Sequence, residues 1–173
     1  MLELIIGGAR SGKSCFAERQ ALNSDRPVIY VATAEARDAE MRERIAHHRA
    51  RRPTGWRTVE EPLDLAAALV REARRDTCVL VDCLTLWLTN VLLAEREAEI
   101  DPLPETLPTL PGRVILVSNE VGWGIVPENA LARRFRDEQG RLNQRIAALA
   151  DNVTLVAAGL PLVLKHTPPP PTA

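Results

Sequence analysis

An α/β fold built on a mostly parallel central sheet is predicted by three features of this 173-residue chain. Short apolar runs recur along it, each stopped by a turn residue or a carboxylate, as in strands buried on both faces. Segments of helical length separate them. The first run passes through a glycine-rich turn directly into a helix, the order of a parallel βα unit.

Leu2–Ile6 is the first run, ended by Gly7 and Gly8. A helix is expected from Ser14 to Leu22, stopped by Asn23-Ser24-Asp25 and Pro27. Val28–Val31, β-branched and aromatic, reads as the second strand. Asp38–Arg52 reads as a helix, with Asp38 as N-cap and Pro53 closing it. Pro62 opens another, with Leu63, Ala66, Ala67 and Val70 on one stripe. Cys78–Val81 is a continuous apolar strand ending in Asp82, and a helix from Leu84 to about Glu99 follows.

Residues 101–112 hold Pro102, Pro104, Pro108, Pro111 and Gly112, which predicts an exposed connection. Val114–Val117 is the fourth strand. Pro127–Ala150 reads as a long helix presenting Leu131, Phe135, Leu142, Ile146 and Leu149, with Gly140 inside it at a cost of about 1 kcal/mol relative to alanine. Val153–Val156 is the fifth strand, and Leu162–Leu164 adds a C-terminal edge strand. A single domain over residues 1–166 is expected, followed by a proline-rich, disordered tail at 167–173.

With 22 basic against 23 acidic side chains, the overall charge gives no support to a nucleic-acid partner. No run approaches the ~18 apolar residues of a membrane span, and the first apolar stretch is too short for a signal peptide. Cys15, Cys78 and Cys83 form no metal spacing, and the odd number suits a reducing cytoplasm. Cys78 and Cys83, in or beside an apolar run, are expected as buried filling.

Gly7-Gly8-Ala9-Arg10-Ser11-Gly12-Lys13-Ser14 fits G-x-x-x-x-G-K-[ST], between a strand and a helix. Glycines let backbone N–H groups curl around phosphates, and the helix N-terminus adds positive potential. Lys13 then reaches the β- and γ-phosphates, and the Ser14 hydroxyl ligates Mg²⁺. Asp82, ending the apolar strand, stands where a second Mg²⁺ carboxylate belongs; its other reading is a cap for the next helix. The fold class narrows to a three-layer P-loop NTPase of RecA-like type.

Seven arginines lie between positions 37 and 57: Arg37, Arg42, Arg44, Arg49, Arg51, Arg52 and Arg57. They form either a solvated helix face or a cover supplying cations to a transferring phosphoryl group. Met41, Ile45 and His48 share one helical stripe; Glu40, Arg44, His47 and Arg51 share another. His48 therefore turns inward and His47 outward. Ser118–Glu128, beyond a strand's carboxyl end, reads either as a ligand loop presenting Trp123 or as a connection with a buried tryptophan. Glu120 reads equally as a base or as a loop cap.

Several segments, in order, resemble the bifunctional cobinamide kinase/cobinamide-phosphate guanylyltransferases of cobalamin biosynthesis. They are GGARSGKS (7–14), VATAE (31–35), RIAHHRARRP (44–53), WRTVEE (56–61), VDCLTLWLTN (81–90) and residues 118–147 containing NEVGWGIVPE. The resemblance implies phosphorylation of adenosylcobinamide by GTP or ATP. It then implies transfer of GMP from GTP through a guanylyl-histidine, which matches His48 here. It also implies nucleotide contacts from Ala32, Thr33, Ala34, Arg49, Ala50, Arg51, Arg52 and Glu60, and a homotrimer sharing active-site elements. Asp82 matches a position that glutamate can occupy in the family, so a bridging water is implied between the shorter carboxylate and the metal. Residues 93–112 are shorter than the family's helical stretch, and no N-K-x-D motif reads guanine. The alternatives are a monofunctional P-loop small-molecule kinase, with His48 packed in the core, and a non-catalytic nucleotide-binding switch.

Overall fold

The structure, a computed structural model, describes residues 1–50 and 52–168; within the second helix the side chains of Glu40, Arg44, His47 and His48 lie outside the description. Arg51 and tail residues 169–173 fall outside it too, so the expectation of a disordered tail rests largely on residues not described.

The described residues form one seven-stranded sheet flanked by helices. The strands are β1 (Leu2–Gly7), β2 (Val28–Ala32), β3 (Arg57–Glu60), β4 (Cys78–Asp82), β5 (Arg113–Asn119), β6 (Asn152–Ala157) and β7 (Leu160–His166). The helices are α1 (Lys13–Leu22), α2 (Ala39–Ala50), α3 (Leu65–Glu72), α4 (Leu84–Leu93), α5 (Pro102–Thr106) and α6 (Ala130–Leu149). Spatial order is β3-β2-β4-β5-β1-β6-β7, every pair parallel except the closing β6–β7 hairpin.

Because side chains alternate across a strand, each central strand feeds two cores. Ile29 and Val31, Val79 and Val81, Val114 and Leu116 face the cluster under α3 to α6. Tyr30, Leu80, Ile115 and Val117 face the other cluster, which α1 covers with Ala17 and Ala21. Trp87, fully buried on α4, satisfies its ring N–H on the Leu63 carbonyl at 2.7 Å. Truncating a core leucine such as Leu80 to alanine costs about 2–5 kcal/mol in such packing.

Asp38 caps α2, accepting from the Met41 N–H at 2.7 Å, and Asn129 caps α6, accepting from Ala132 N–H at 3.1 Å. Several expectations need correction. A strand, β3, lies at the sheet edge where none was predicted. On α3 the buried stripe is Leu65, Ala66, Ala68, Leu69 and Glu72, while Val70 is exposed. Helix α4 stops at Leu93, soon followed by Glu95 at φ 56°. Residues 101–112 are not an open connection: Pro102 starts α5, and Leu103 and Leu107 are buried in the main core. On α6, Leu131 and Leu149 are exposed, and the buried set is Gln139, Leu142, Asn143 and Ile146.

Candidate functional site

The parallel strands β1, β2, β4 and β5 end on one side of the sheet, and the last residues of β2, β4 and β5 form the floor of a cavity of about 670 Å³. Lys13 and Ser14 enter it from the start of α1, Tyr30 and Ala32 from β2, Asp82 from β4 and Asn119 from β5. The opposite wall is α2 and the chain after it, contributing Met41, Arg42, Ile45, Arg49, Arg52 and Glu60.

The phosphate loop has the backbone its chemistry requires. Gly12 precedes α1 at φ 93°, a conformation side chains disfavour. A Cβ on Gly7 would stand 2.4 Å from the Val156 carbonyl oxygen and 2.6 Å from Ser11 Oγ. Gly8, Ala9 and Arg10 are exposed, Ser11 and Lys13 are buried, and Lys13 Nζ donates to the Gly8 carbonyl at 3.4 Å. Ser11 Oγ is buried with no hydrogen-bond partner, a polar group left for a ligand to satisfy. The loop is backed from the C-terminal hairpin, where Gly159 N–H donates to the Ser11 carbonyl at 2.8 Å.

Asp82 meets the cavity beside Lys13 and Ser14, and its Oδ2 accepts the Tyr30 hydroxyl at 2.9 Å. Burial first, and then the Asp82 carboxylate, push the Tyr30 hydroxyl far above its ordinary value, so it remains a donor. The Arg52 guanidinium lies 3.6 Å above the Tyr30 ring, and Trp56 stacks near the same ring at 6.2 Å and 28°. Arg52 Nη1 also reaches Thr58 Oγ1 at 3.3 Å. Oxygen donors from a hydroxyl and a carboxylate, with room for substrate phosphates, fit the needs of Mg²⁺. No group of three or more His, Cys, Asp or Glu among the described residues forms a closed protein cage.

Thr33, implied as a nucleotide contact, is not among the residues lining the cavity. It is fully buried; its hydroxyl donates to the Cys83 carbonyl at 2.7 Å and accepts from Cys83 N–H at 2.9 Å. Its own carbonyl accepts from Asn90 Nδ2 at 2.7 Å, so its polar groups brace the strand end instead. Ala50 is exposed and outside the cavity wall, whereas Ala32 and Ala34 belong to it. Arg49 and Glu60 pair with one another at the cavity's edge.

Of the seven arginines, Arg37, Arg42, Arg49 and Arg52 line the cavity. Arg57 points elsewhere, paired with Glu72. Met41 and Ile45 of the predicted inward stripe face the cavity instead of a packed core. The side chain of His48, on that stripe by spacing, lies outside the description, as do His47 and Arg51.

In the loop after β5, Trp123 is 76% exposed and Ile125 96%, which removes the buried-tryptophan reading. Glu120 acts as a cap, its Oε1 accepting from Gly122 N–H at 2.7 Å. Sequence reasoning passed over Tyr30 as a site residue and reached Asn119 only as part of the 118–128 ligand-loop reading. Tyr30 looked like ordinary strand filling; the signal for Asn119 was a polar residue ending an apolar strand. Asn119 N–H donates to Thr85 Oγ1 at 2.8 Å, its carbonyl accepts from Asn143 Nδ2 at 3.1 Å, and its Oδ1 is buried without a partner.

Residues 3–164 match the family described as cobinamide kinase / cobinamide phosphate guanyltransferase. The chain belongs to that family. It is 57% identical over 172 residues to the bifunctional adenosylcobalamin biosynthesis protein CobP of Pseudomonas aeruginosa, covering 97% of this chain and 99% of that one. It is 44% identical to the CobU protein of Salmonella typhimurium, over 95% of this chain and all of the relative. Kinase and guanylyltransferase chemistry of cobalamin biosynthesis is thus the family's business and this enzyme's class. Two solved structures share the fold alone. A Pyrococcus horikoshii protein superposes with TM-score 0.54 at 10% identity, over 95% of this chain and 86% of its own. A type III secretion ATPase superposes with TM-score 0.51 at 13% identity, over 89% and 51%. The sheet order, with β5 between the P-loop strand and the Asp82 strand, is the RecA-like arrangement.

Proposed function

We propose that both family reactions run in this one cavity, with His48 as the covalent relay for GMP. The observation that carries the proposal is the facing of two walls: Lys13, Ser14 and Asp82 on one side, Met41, Ile45, Arg49 and Arg52 on the other. Both walls line the same cavity, so a triphosphate held by the first is open to groups carried by the second.

In the kinase step the aminopropanol hydroxyl of adenosylcobinamide attacks the γ-phosphorus of GTP or ATP. The hydroxyl loses its proton and the nucleoside diphosphate leaves. Lys13 and the exposed loop N–H groups hold the phosphate charge as it develops. In the second step, neutral His48 attacks the α-phosphorus of GTP, the bond to the β-phosphate breaks, and pyrophosphate departs. Cobinamide phosphate then takes the GMP through a phosphate oxygen, the P–N bond breaks, and His48 is released. Arg49 and Arg52 supply positive charge on the α2 side. Ser14 and Asp82 would hold Mg²⁺, which neutralises phosphate charge when bound.

A homotrimer in the cytoplasm completes the proposal. No described helix is long and apolar enough to cross a membrane. Strand β7 supports assembly, since it is a sheet edge carrying Leu160, Leu162, Val163 and Leu164, all more than half exposed.

Incubation with Mg²⁺ and α-phosphate-labelled GTP, then denaturation, tests the relay. Label that survives base, is lost in acid, and disappears in His48→Ala but not His47→Ala is expected. Protein that binds GTP yet retains no label would leave a plain kinase.

A further inference from the structure

Tyr30 is committed on two sides at once. Its hydroxyl takes Asp82 Oδ2 at 2.9 Å, and its ring carries the Arg52 guanidinium at 3.6 Å. It is 2% exposed and fixed in the middle of β2, between β3 and β4, so neither contact arises from a mobile surface side chain. Asp82 closes β4 on the phosphate side of the cavity; Arg52 follows α2 on the other. Among the described residues, Arg52 Nη1 makes a long contact to Thr58 Oγ1 at 3.3 Å, and its buried Nε has no hydrogen-bond partner.

We propose that Tyr30 is a positioning residue that orients Asp82 toward the cation and Arg52 toward the nucleotide, tying the two walls of the site together. The proposal rests on the reading of Asp82 as the metal-side carboxylate. A carboxylate with one oxygen already occupied presents the other in a single orientation, and outer-shell hydrogen bonds of this kind govern metal affinity. The ring contributes separately, because a guanidinium over an aromatic face is held by the ring's quadrupole and by stacking. The hydroxyl and the ring therefore have separable effects.

Manganese serves as the spectroscopic probe for the cation. Electron paramagnetic resonance titration of Mn²⁺ into the protein–GTP complex is compared for wild type, Tyr30→Phe, Asp82→Asn and the double variant. GTP binding is measured alongside in EDTA. Tyr30→Phe, which keeps the ring, is expected to weaken Mn²⁺ by about tenfold. Its GTP affinity in EDTA should change far less than its Mn²⁺ affinity, its urea midpoint should fall only as one lost hydrogen bond requires, and it should add nothing to the Mn²⁺ loss in the Asp82→Asn background. Tyr30→Leu should also weaken GTP severalfold in EDTA, because Arg52 loses its support. If Tyr30→Phe binds Mn²⁺ like wild type while Asp82→Asn does not, Tyr30 has no positioning role and the proposal falls. If Asp82→Asn binds Mn²⁺ normally, the metal reading of Asp82 falls first and takes the proposal with it. Should Tyr30→Leu fail to fold, the Tyr30→Phe comparison decides alone.

Discussion

Asn90 Nδ2 donates to the Thr33 carbonyl at 2.7 Å, joining the middle of α4 to the end of β2. The same amide reaches the Pro62 carbonyl at 3.3 Å, while Asn90 Oδ1 accepts from Arg37 at 3.2 Å. One buried side chain thus fixes the exit of β2, the approach to α3 and an arginine of the cavity wall. Asn90→Ala leaves the buried Thr33 carbonyl and the part-buried Pro62 carbonyl short of a donor and is expected to cost about 2 kcal/mol. Urea unfolding should show a lower midpoint with an unchanged slope, and GTP should bind more weakly as Ala34 and Arg37 lose their anchor.

Two glycines should respond to alanine in opposite directions. At Gly7 the new methyl would strike the Val156 carbonyl at 2.4 Å, with backbone on that side unable to yield. Gly7→Ala should therefore lose stability and nucleotide binding together. At Gly140, inside α6, a Cβ meets nothing within 4 Å. Gly140→Ala should raise stability by up to about 1 kcal/mol through helix propensity and leave activity intact. A Gly140→Ala variant less stable than wild type would mean the open space is filled in solution.

The buried thiols should be inert. Burial, with the Asp82 carboxylate adding to it, pushes Cys83 up to about 11, and burial raises Cys78 as well. The thiolate is the reactive form, so iodoacetamide at pH 8 should label the partly exposed Cys15 and spare both others in native protein. The sign for stability follows. A raised thiol value favours the fold fully below the ordinary thiol range and loses that support as pH climbs toward 11.

Acid should act through Glu72. The hydrogen bond from Arg57 holds its carboxyl below the ordinary value against the opposing effect of burial, with Arg71 assisting. This stabilisation is complete above about 4.5, the ordinary glutamate value, and fades as pH falls through the lowered one. Glu72→Gln is expected to cost about 1 kcal/mol at neutral pH and to flatten the acid limb of stability against pH. An unchanged acid limb would assign acid sensitivity to other carboxylates.

A charge on the outer strand should break assembly. Val163, 64% exposed on β7, becomes the test through Val163→Lys. Light scattering is expected to show a smaller species than wild type. An unchanged mass would move the interface away from this edge.

Legibility in the sequence followed how strongly each segment's burial is written in its own residues. Strand β4 and Asp82 were plain because Cys78 to Val81 are apolar on both faces of a central strand. Strand β3 was hidden, since an edge strand of Arg57, Thr58, Val59 and Glu60 buries too little to show a pattern. The prolines at 102–111 suggested an open connection, yet Pro102 opens a short helix that drops Leu103 into the core. The phosphate loop was readable because its chemistry needs contiguous residues. Tyr30, Asp82 and Asn119 reach one cavity only through the order of β2, β4 and β5 in the sheet, and no local spacing records that.

Gly159 of the closing hairpin donates to Ser11, so the turn at residues 7–14 leans on the connection between β6 and β7. A growing chain can shape the turn at residues 7–14 early, but its outer support does not exist until β6 and β7 have been made. A chain cut before β6 would keep every residue of the phosphate turn and lose the backbone brace behind it.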